Sequence, residues 1–148
     1  GHLACMLAVH APKTGDEALD RFSGKVEAAV SLNGVTDLRP GAPTNKLLQT
    51  IYPVVVGDDP EALASMSPIT FVTKRAAPLL LVVGDEDDMV PVTQSQLMAD
   101  SLKEAGAAYE FVTIRGAGHG IFPSSTPQAR DVAVDFFDRR LKASNGVQ

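Results

Sequence analysis

A histidine in a loop of small residues is the first candidate for chemistry. His119 lies in the stretch IRGAGHGIF, residues 114–122, among Gly116, Gly118 and Gly120. An imidazole gains and loses a proton near neutral pH, which suits it to act as a general base. The glycines would permit φ > 0 and leave space for a substrate beside the loop. A glycine-rich turn that carries an incidental, solvent-facing histidine is the alternative interpretation.

A second candidate is an acidic loop, DEDDMVP at residues 85–91, which follows the apolar run LLLVV and Gly84. A carboxylate beside an imidazole is the orienting half of a Ser-His-Asp triad, where it fixes the tautomer and stabilises the imidazolium. Acid before histidine is also the chain order of α/β-hydrolases. The alternative is a solvated acidic loop that caps the next helix, and the pattern alone does not select one of the four acids.

Metal chemistry is not favoured by the spacing of possible ligands. Counted from Asp85, a calcium loop would need glycine at position 6 and glutamate at position 12, but valine and glutamine stand there. His2 and His10 are far in sequence from other ligand types and are expected to be structural. Cys5 is the only cysteine, and its apolar neighbours predict a buried small hydrophobe. We expect no metal and no cofactor.

Both candidate loops follow segments with the pattern of β-strands. Residues 78–84, PLLLVVG, form a continuous apolar run that is typical of a strand buried on both faces. Residues 108–114 precede the histidine loop, and residues 26–34, VEAAVSLNG, alternate apolar positions and end at Asn-Gly. Ligands of open α/β sheets bind at the carboxyl ends of the strands. The acid and the histidine would therefore emerge from the same edge of a parallel sheet.

Helical patterns alternate with these strands, which predicts a parallel sheet covered on both faces. Asp59 and Thr126 are expected N-caps, Gly106 is an expected helix stop, and a helical pattern from Lys46 is expected to break near Pro53. The remaining predictions are helices at residues 3–10, 60–66, 92–105 and 126–142, a polar connection at 11–25 and an irregular segment at 67–72.

Composition excludes several classes of partner. The 148 residues suit one domain, and 45% hydrophobic and 21% charged residues are ordinary for a globular protein. A net charge of −5 without a Lys/Arg cluster argues against nucleic acid. No apolar run approaches the length of a membrane span, and the opening GHLACMLAVH lacks the pattern of a signal peptide. The sequence indicates neither a compartment nor an oligomeric state.

Taken together, the motifs resemble the C-terminal half of α/β-hydrolase serine esterases, in the branch near acetyl-xylan, feruloyl and hormone-sensitive-lipase-like esterases. The opening GHLA is similar to the end of that family's Gly-x-Ser-x-Gly-Gly-His-Leu-Ala nucleophile elbow. SLNGVTDL is similar to the end of its sixth strand, and ASMSPITFV to the segment before its seventh. The acid-bearing strand, loop and helix and the segment GAGHGIF follow in the family's order.

This resemblance implies a fold and two site residues. The fold is the three-layer α/β/α arrangement, with residues 1–148 as the C-terminal portion of a single domain whose N-terminal half carries the nucleophile elbow and oxyanion loop. By position in the Gly-x-x-Asp-x-x-Val-Pro signature, Asp87 is the triad acid, with Asp85 and Asp88 as loop neighbours, and His119 is the base. The nucleophilic serine is expected upstream of Gly1, so these residues alone would be inactive.

No serine of the chain replaces that nucleophile. Ser31 lies in a predicted strand, and Ser65, Ser67 and Ser95 lack the Gly-x-Ser-x-Gly turn that presents a hydroxyl. The resemblance implies a small-molecule ester substrate, a covalent acyl-enzyme and no cofactor. Two other interpretations stay open. One is a prolyl-oligopeptidase-type serine peptidase, which has similar acid and histidine loops, and the other is a non-catalytic hydrolase-like binding module.

Overall fold

The computed structural model describes residues 1–11, 14–21, 24–122 and 126–142. Within these ranges the elements are helices α1 (His2–Val9), α2 (Glu17–Asp20), α3 (Lys46–Val55), α4 (Pro60–Ser65), α5 (Val92–Glu104) and α6 (Pro127–Leu141), a 3-10 helix (Pro68–Phe71), and strands β1 (Ala29–Leu32), β2 (Leu79–Gly84) and β3 (Tyr109–Ile114). None of these helices is both long and apolar enough to cross a bilayer.

The three strands form one parallel sheet in the order β1-β2-β3. Leu79, at the start of the central strand, is in register with Ala29 on one side and with Tyr109 on the other. All six residues of β2 are buried, as the continuous apolar run predicted. Since the strands are parallel, their carboxyl ends and the loops that follow lie at one edge of the sheet.

Helices cover both faces of this sheet because the side chains of β2 alternate between two apolar clusters. Leu79 and Leu81 pack with α1 and α5 on one face. Leu80 and Val82 pack with α6 on the other face, where Phe136 is fully buried. The three-layer α/β/α architecture expected from the sequence is therefore confirmed.

Several element ends follow the predicted signals. Asp59 caps α4, with its carboxylate accepting from the backbone N–H groups of Glu61 and Ala62. Gly106, two residues beyond α5, has φ of 69°, a left-handed conformation that favours glycine at the end of a helix. Thr126 is the N-cap residue of α6, as predicted, but its side chain makes no capping hydrogen bond.

Other local predictions differ from the structure in detail. The helical pattern expected to break near Pro53 is α3, which includes Pro53 and ends two residues later, at Val55. The segment expected to be irregular contains the 3-10 helix, and the polar connection contains α2, which Asp16 caps by accepting from two backbone N–H groups. Strand β1 starts at Ala29, later than predicted. Residues 12–13 and 22–23 of that connection and 123–125 after the histidine loop lie outside the described residues.

Cys5 should resist thiol reagents in the native protein. It is fully buried, as predicted, and this burial raises the pKa of its thiol to about 11, against the effect of a hydrogen bond with Ser31. Because the thiolate is the reactive form, we expect Cys5 not to react with Ellman's reagent at pH 8 in native buffer and to react in guanidinium. Rapid reaction of Cys5 in the folded protein would contradict this placement.

Candidate active site

The predicted acid is held by the loop that follows β2. Asp87 Oδ1 accepts hydrogen bonds from the backbone N–H groups of Met89 and Val90, each at 2.8 Å. Its side chain is 1% exposed, although the loop around it is hydrophilic. Two backbone donors stabilise the carboxylate and fix its plane, which leaves Oδ2 free to face another partner.

That partner is the predicted base. The Nδ1 atom of His119, in the loop after β3, lies 2.8 Å from Asp87 Oδ2. Because an ionised carboxylate can only accept, Nδ1 carries the hydrogen and Nε2 keeps its lone pair in the neutral ring. The side chain of His119 is 35% exposed, so the site is accessible while its acid is buried. The structure thus brings together the two residues predicted for the site, in a geometry suited to proton transfer at Nε2.

The other acids of the loop have different positions. Asp85 Oδ1 accepts from the N–H of Gly116 at 2.6 Å, and Glu86 contributes its backbone N–H to the Ala117 carbonyl at 3.0 Å. Asp88 is exposed. Among the described residues, Asp87 is therefore the acid whose carboxylate contacts the imidazole, and it is the acid that the resemblance implied.

The positive φ angles expected for the glycines of the histidine loop are only partly observed. Gly116 has φ of 69°, whereas Gly118 and Gly120 do not have positive φ. A clear steric reason exists instead for Gly84, the last residue of β2, because a Cβ there would collide with the carbonyl of Ala117. Glycine at position 84 lets the histidine loop pack directly on the start of the acid loop.

Asn33, expected only to end a strand, also belongs to the site. Its side-chain Oδ1 accepts from the N–H of Gly84 at 3.0 Å, and its Nδ2 donates to the carbonyls of His119 at 2.8 Å and Gly118 at 3.2 Å. Asn33 is 6% exposed and has φ of 46°. The Asn-Gly pair signalled a turn, but no local pattern signals contacts so distant in sequence.

Gln94 was also missed, since a glutamine in a polar helical pattern is normally exposed. It is fully buried and accepts from the N–H groups of Thr36 and Asp37 at 2.8 Å each. Its Nε2 donates to the carbonyls of Asp37 at 2.9 Å and Pro43 at 2.6 Å. Through these four hydrogen bonds, Gln94 fixes the segment after β1 against the start of α5.

In the same segment, burial of Asp37 favours its neutral form, but hydrogen bonds and charge from Arg39 lower the pKa of its carboxyl group.

Several cavities lie near these residues. A cavity of about 300 Å³ borders His119 and Asn33 and is otherwise lined mainly by apolar residues of β1 and the histidine loop, Val30, Leu32, Ile121 and Phe122. Another, of about 410 Å³, lies between the segment after β1 and the region of α3 and α4, and its lining includes neither Asp87 nor His119. Proton transfer requires contact with the imidazole, so the first cavity is the relevant one.

The remaining histidines have structural contacts. His2 Nδ1 lies 2.9 Å from the carbonyl oxygen of Val35, and the ring of His10 stacks on Phe71 with centroids 4.2 Å apart. In the described part of the chain, no three His, Cys, Asp or Glu side chains are grouped so that they could hold a metal ion.

Comparison with known proteins identifies the family to which the chain belongs. The model of the prolyl oligopeptidase family matches residues 18–144. The chain belongs to this family. A relative outside the peptidases is the esterase LipQ of Mycobacterium tuberculosis, which is 30% identical over 98% of this chain and 38% of LipQ. Membership of the prolyl oligopeptidase family therefore does not by itself separate an ester from a peptide substrate.

Solved structures give the same fold. A truncated carbohydrate esterase from gut microbiota is 26% identical with a TM-score of 0.73, and the match covers 94% of this chain and 55% of that one. An acetyl ester-xyloside bifunctional hydrolase from Caldicellulosiruptor lactoaceticus has a TM-score of 0.76 at 24% identity, over 93% and 52%. The chain thus spans about half the length of these two proteins. The predicted resemblance to α/β-hydrolase serine esterases is confirmed.

Proposed function

We propose that this chain supplies the acid and the base of a Ser-His-Asp triad to a carboxylic-ester hydrolase. The observation that carries the proposal is the 2.8 Å hydrogen bond between His119 Nδ1 and the buried carboxylate of Asp87. The serine would come from outside these 148 residues, which contain no Gly-x-Ser-x-Gly sequence. We further propose that residues 1–148 form the C-terminal portion of a single α/β-hydrolase domain.

The chemistry follows from the free nitrogen of His119. As the serine oxygen attacks the ester carbonyl carbon, Nε2 accepts the hydroxyl proton, and the imidazolium is stabilised by Asp87. When the tetrahedral intermediate collapses, Nε2 returns that proton to the departing alcohol and an acyl-enzyme is left. Water then attacks the acyl carbon, gives its proton to Nε2 and releases the acid, and the serine regains its proton. These steps use only side chains and water.

The proposed substrate is a small acyl ester, such as an acetyl or aromatic ester on a carbohydrate. The names of three similar proteins support it: LipQ is an esterase, one solved relative is a carbohydrate esterase, and another is an acetyl ester-xyloside hydrolase. The apolar cavity beside His119 suits the uncharged part of such an ester. Peptide hydrolysis is the second candidate, because the matching family model is that of the prolyl oligopeptidases.

The complete protein that contains this chain should hydrolyse p-nitrophenyl acetate and release acetate from acetylated xylan, and a serine-directed fluorophosphonate should abolish both activities. Succinyl-Gly-Pro-p-nitroanilide serves as the peptide substrate in the same assay. Faster turnover of the peptide would instead support the peptidase. Absence of all three activities, together with no covalent labelling by the fluorophosphonate, would support a non-catalytic binding module and refute the proposal.

A further inference from the structure

Asn33 connects the carboxyl ends of all three strands. It directly follows β1, and its backbone N–H donates to the Val82 carbonyl of β2 at 3.0 Å. Its side chain binds Gly84, where the acid loop begins, and two carbonyls of the histidine loop after β3. One buried side-chain amide therefore contacts the start of the acid loop and the residue proposed as the general base in the histidine loop.

The orientation of this amide is determined by its partners. The N–H of Gly84 can only donate, so it must face Oδ1, and the carbonyls of Gly118 and His119 can only accept, so they must face Nδ2. A flipped amide would oppose like groups at all three contacts. The φ of 46° at Asn33 is also a conformation that asparagine adopts more readily than most residues.

Among the described residues, few other backbone hydrogen bonds attach the histidine loop close to His119. The carbonyl of His119 also accepts from the N–H of Ile121 at 3.0 Å, but that bond lies within the loop and moves with it. The nearest backbone bond to another element is from Glu86 to Ala117, two residues before His119. Within the described part of the chain, the side chain of Asn33 thus holds the backbone of His119 to the sheet, while Asp87 is fixed separately by its own turn.

We propose that Asn33 is a positioning residue for the Asp87–His119 pair. By holding the His119 carbonyl at a fixed place relative to Gly84, the amide keeps Nδ1 within hydrogen-bond distance of Asp87 Oδ2. The kinetic consequence of this role rests on the proposed function, since displacement of a general base by about 1 Å costs roughly 100-fold in rate. The structural consequence, the presence of the Asp87–His119 hydrogen bond, does not rest on it.

Asn33→Asp is the most selective variant for testing the positioning role of Asn33. It keeps the size of the side chain, an oxygen for the Gly84 N–H and the tolerance of positive φ, but it turns a carboxylate oxygen towards the two carbonyls. We expect kcat for ester hydrolysis to fall about 10- to 100-fold, with KM within about threefold of the wild-type value. Gln96→Glu is the matched control, because it makes the same amide-to-acid change on α5, where Gln96 is exposed.

Proton NMR of the complete protein supplies a readout that does not depend on turnover. The Nδ1 proton shared by His119 and Asp87 should give a downfield resonance, assigned by its loss in His119→Ala. We expect this resonance to be lost in Asn33→Asp and kept in Gln96→Glu. Asn33→Gly, which also tolerates the local φ but deletes the amide, should repeat the loss and serves if the aspartate variant does not fold.

The outcomes separate the two proposals. Loss of the resonance with a fall in kcat supports both the positioning role and the catalytic pair. Loss of the resonance with undiminished ester hydrolysis supports the positioning role and refutes the catalytic role of the pair. A resonance that persists unchanged in both folded Asn33 variants overturns the positioning role, whatever happens to kcat.

Discussion

Replacement of His119 by alanine is expected to lower kcat for ester hydrolysis by about 10⁴- to 10⁶-fold, with little change in KM. The variant removes the nitrogen proposed to accept the serine proton and to return it to the leaving alcohol, so both halves of the reaction lose their proton carrier. Substrate binding depends on the cavity walls rather than on this proton transfer. The measurement is steady-state hydrolysis of p-nitrophenyl acetate by the complete protein, with a sensitive end-point assay for the residual rate.

Two features make this test selective. The side chain of His119 is partly exposed, so its truncation should leave the fold intact, which circular dichroism can verify. His10 is the matched control, because its ring stacks on Phe71 and takes no part in the proposed reaction. His10→Ala should leave kcat essentially unchanged at a temperature where it is folded. Full activity of His119→Ala would refute the role assigned to this imidazole.

Asp87→Asn should lower kcat by about 10⁴-fold without unfolding the protein. The backbone N–H groups of Met89 and Val90 both donate to Oδ1, so they would keep the amide oxygen of the new asparagine on their side. Its NH₂ group would then face Nδ1 of His119, and only the tautomer with the proton on Nε2 could accept that hydrogen bond. The nitrogen that must accept the serine proton would already be protonated.

Asp88→Asn is the control for this second variant. It removes the same charge from the neighbouring position, but Asp88 is exposed, and Asp87 is the acid that contacts the imidazole. We expect kcat of Asp88→Asn to stay close to that of the wild type. An equal loss of kcat in both variants would show that the overall charge of the loop matters rather than the orientation of His119. A loss of kcat confined to Asp88→Asn would show that Asp88, and not Asp87, is the triad acid.

The sequence allowed the sheet and the pair of side chains to be predicted because both depend on short patterns. The apolar run of β2 requires burial on both faces, and loops that follow parallel strands must meet at one edge. The contacts of Asn33 and Gln94 could not be predicted in this way. Asn33 donates to a carbonyl 86 positions away, and Gln94 is a polar helical residue whose burial depends on how a distant segment folds over it.

The parallel pairing of β2 with β3 has a consequence for how the sequence can diverge. The acid and histidine loops are neighbours because their strands are hydrogen-bonded, from Leu79–Tyr109 to Gly84–Ile114, and not because the intervening chain has a particular length. The connection between α5 and β3, residues 105–108, lies at the opposite end of the sheet. A change of length in this connection would leave the register of β2 with β3, and with it the contact between the two loops, unchanged. A single residue added between Gly84 and Asp87 would instead shift the carboxylate away from His119.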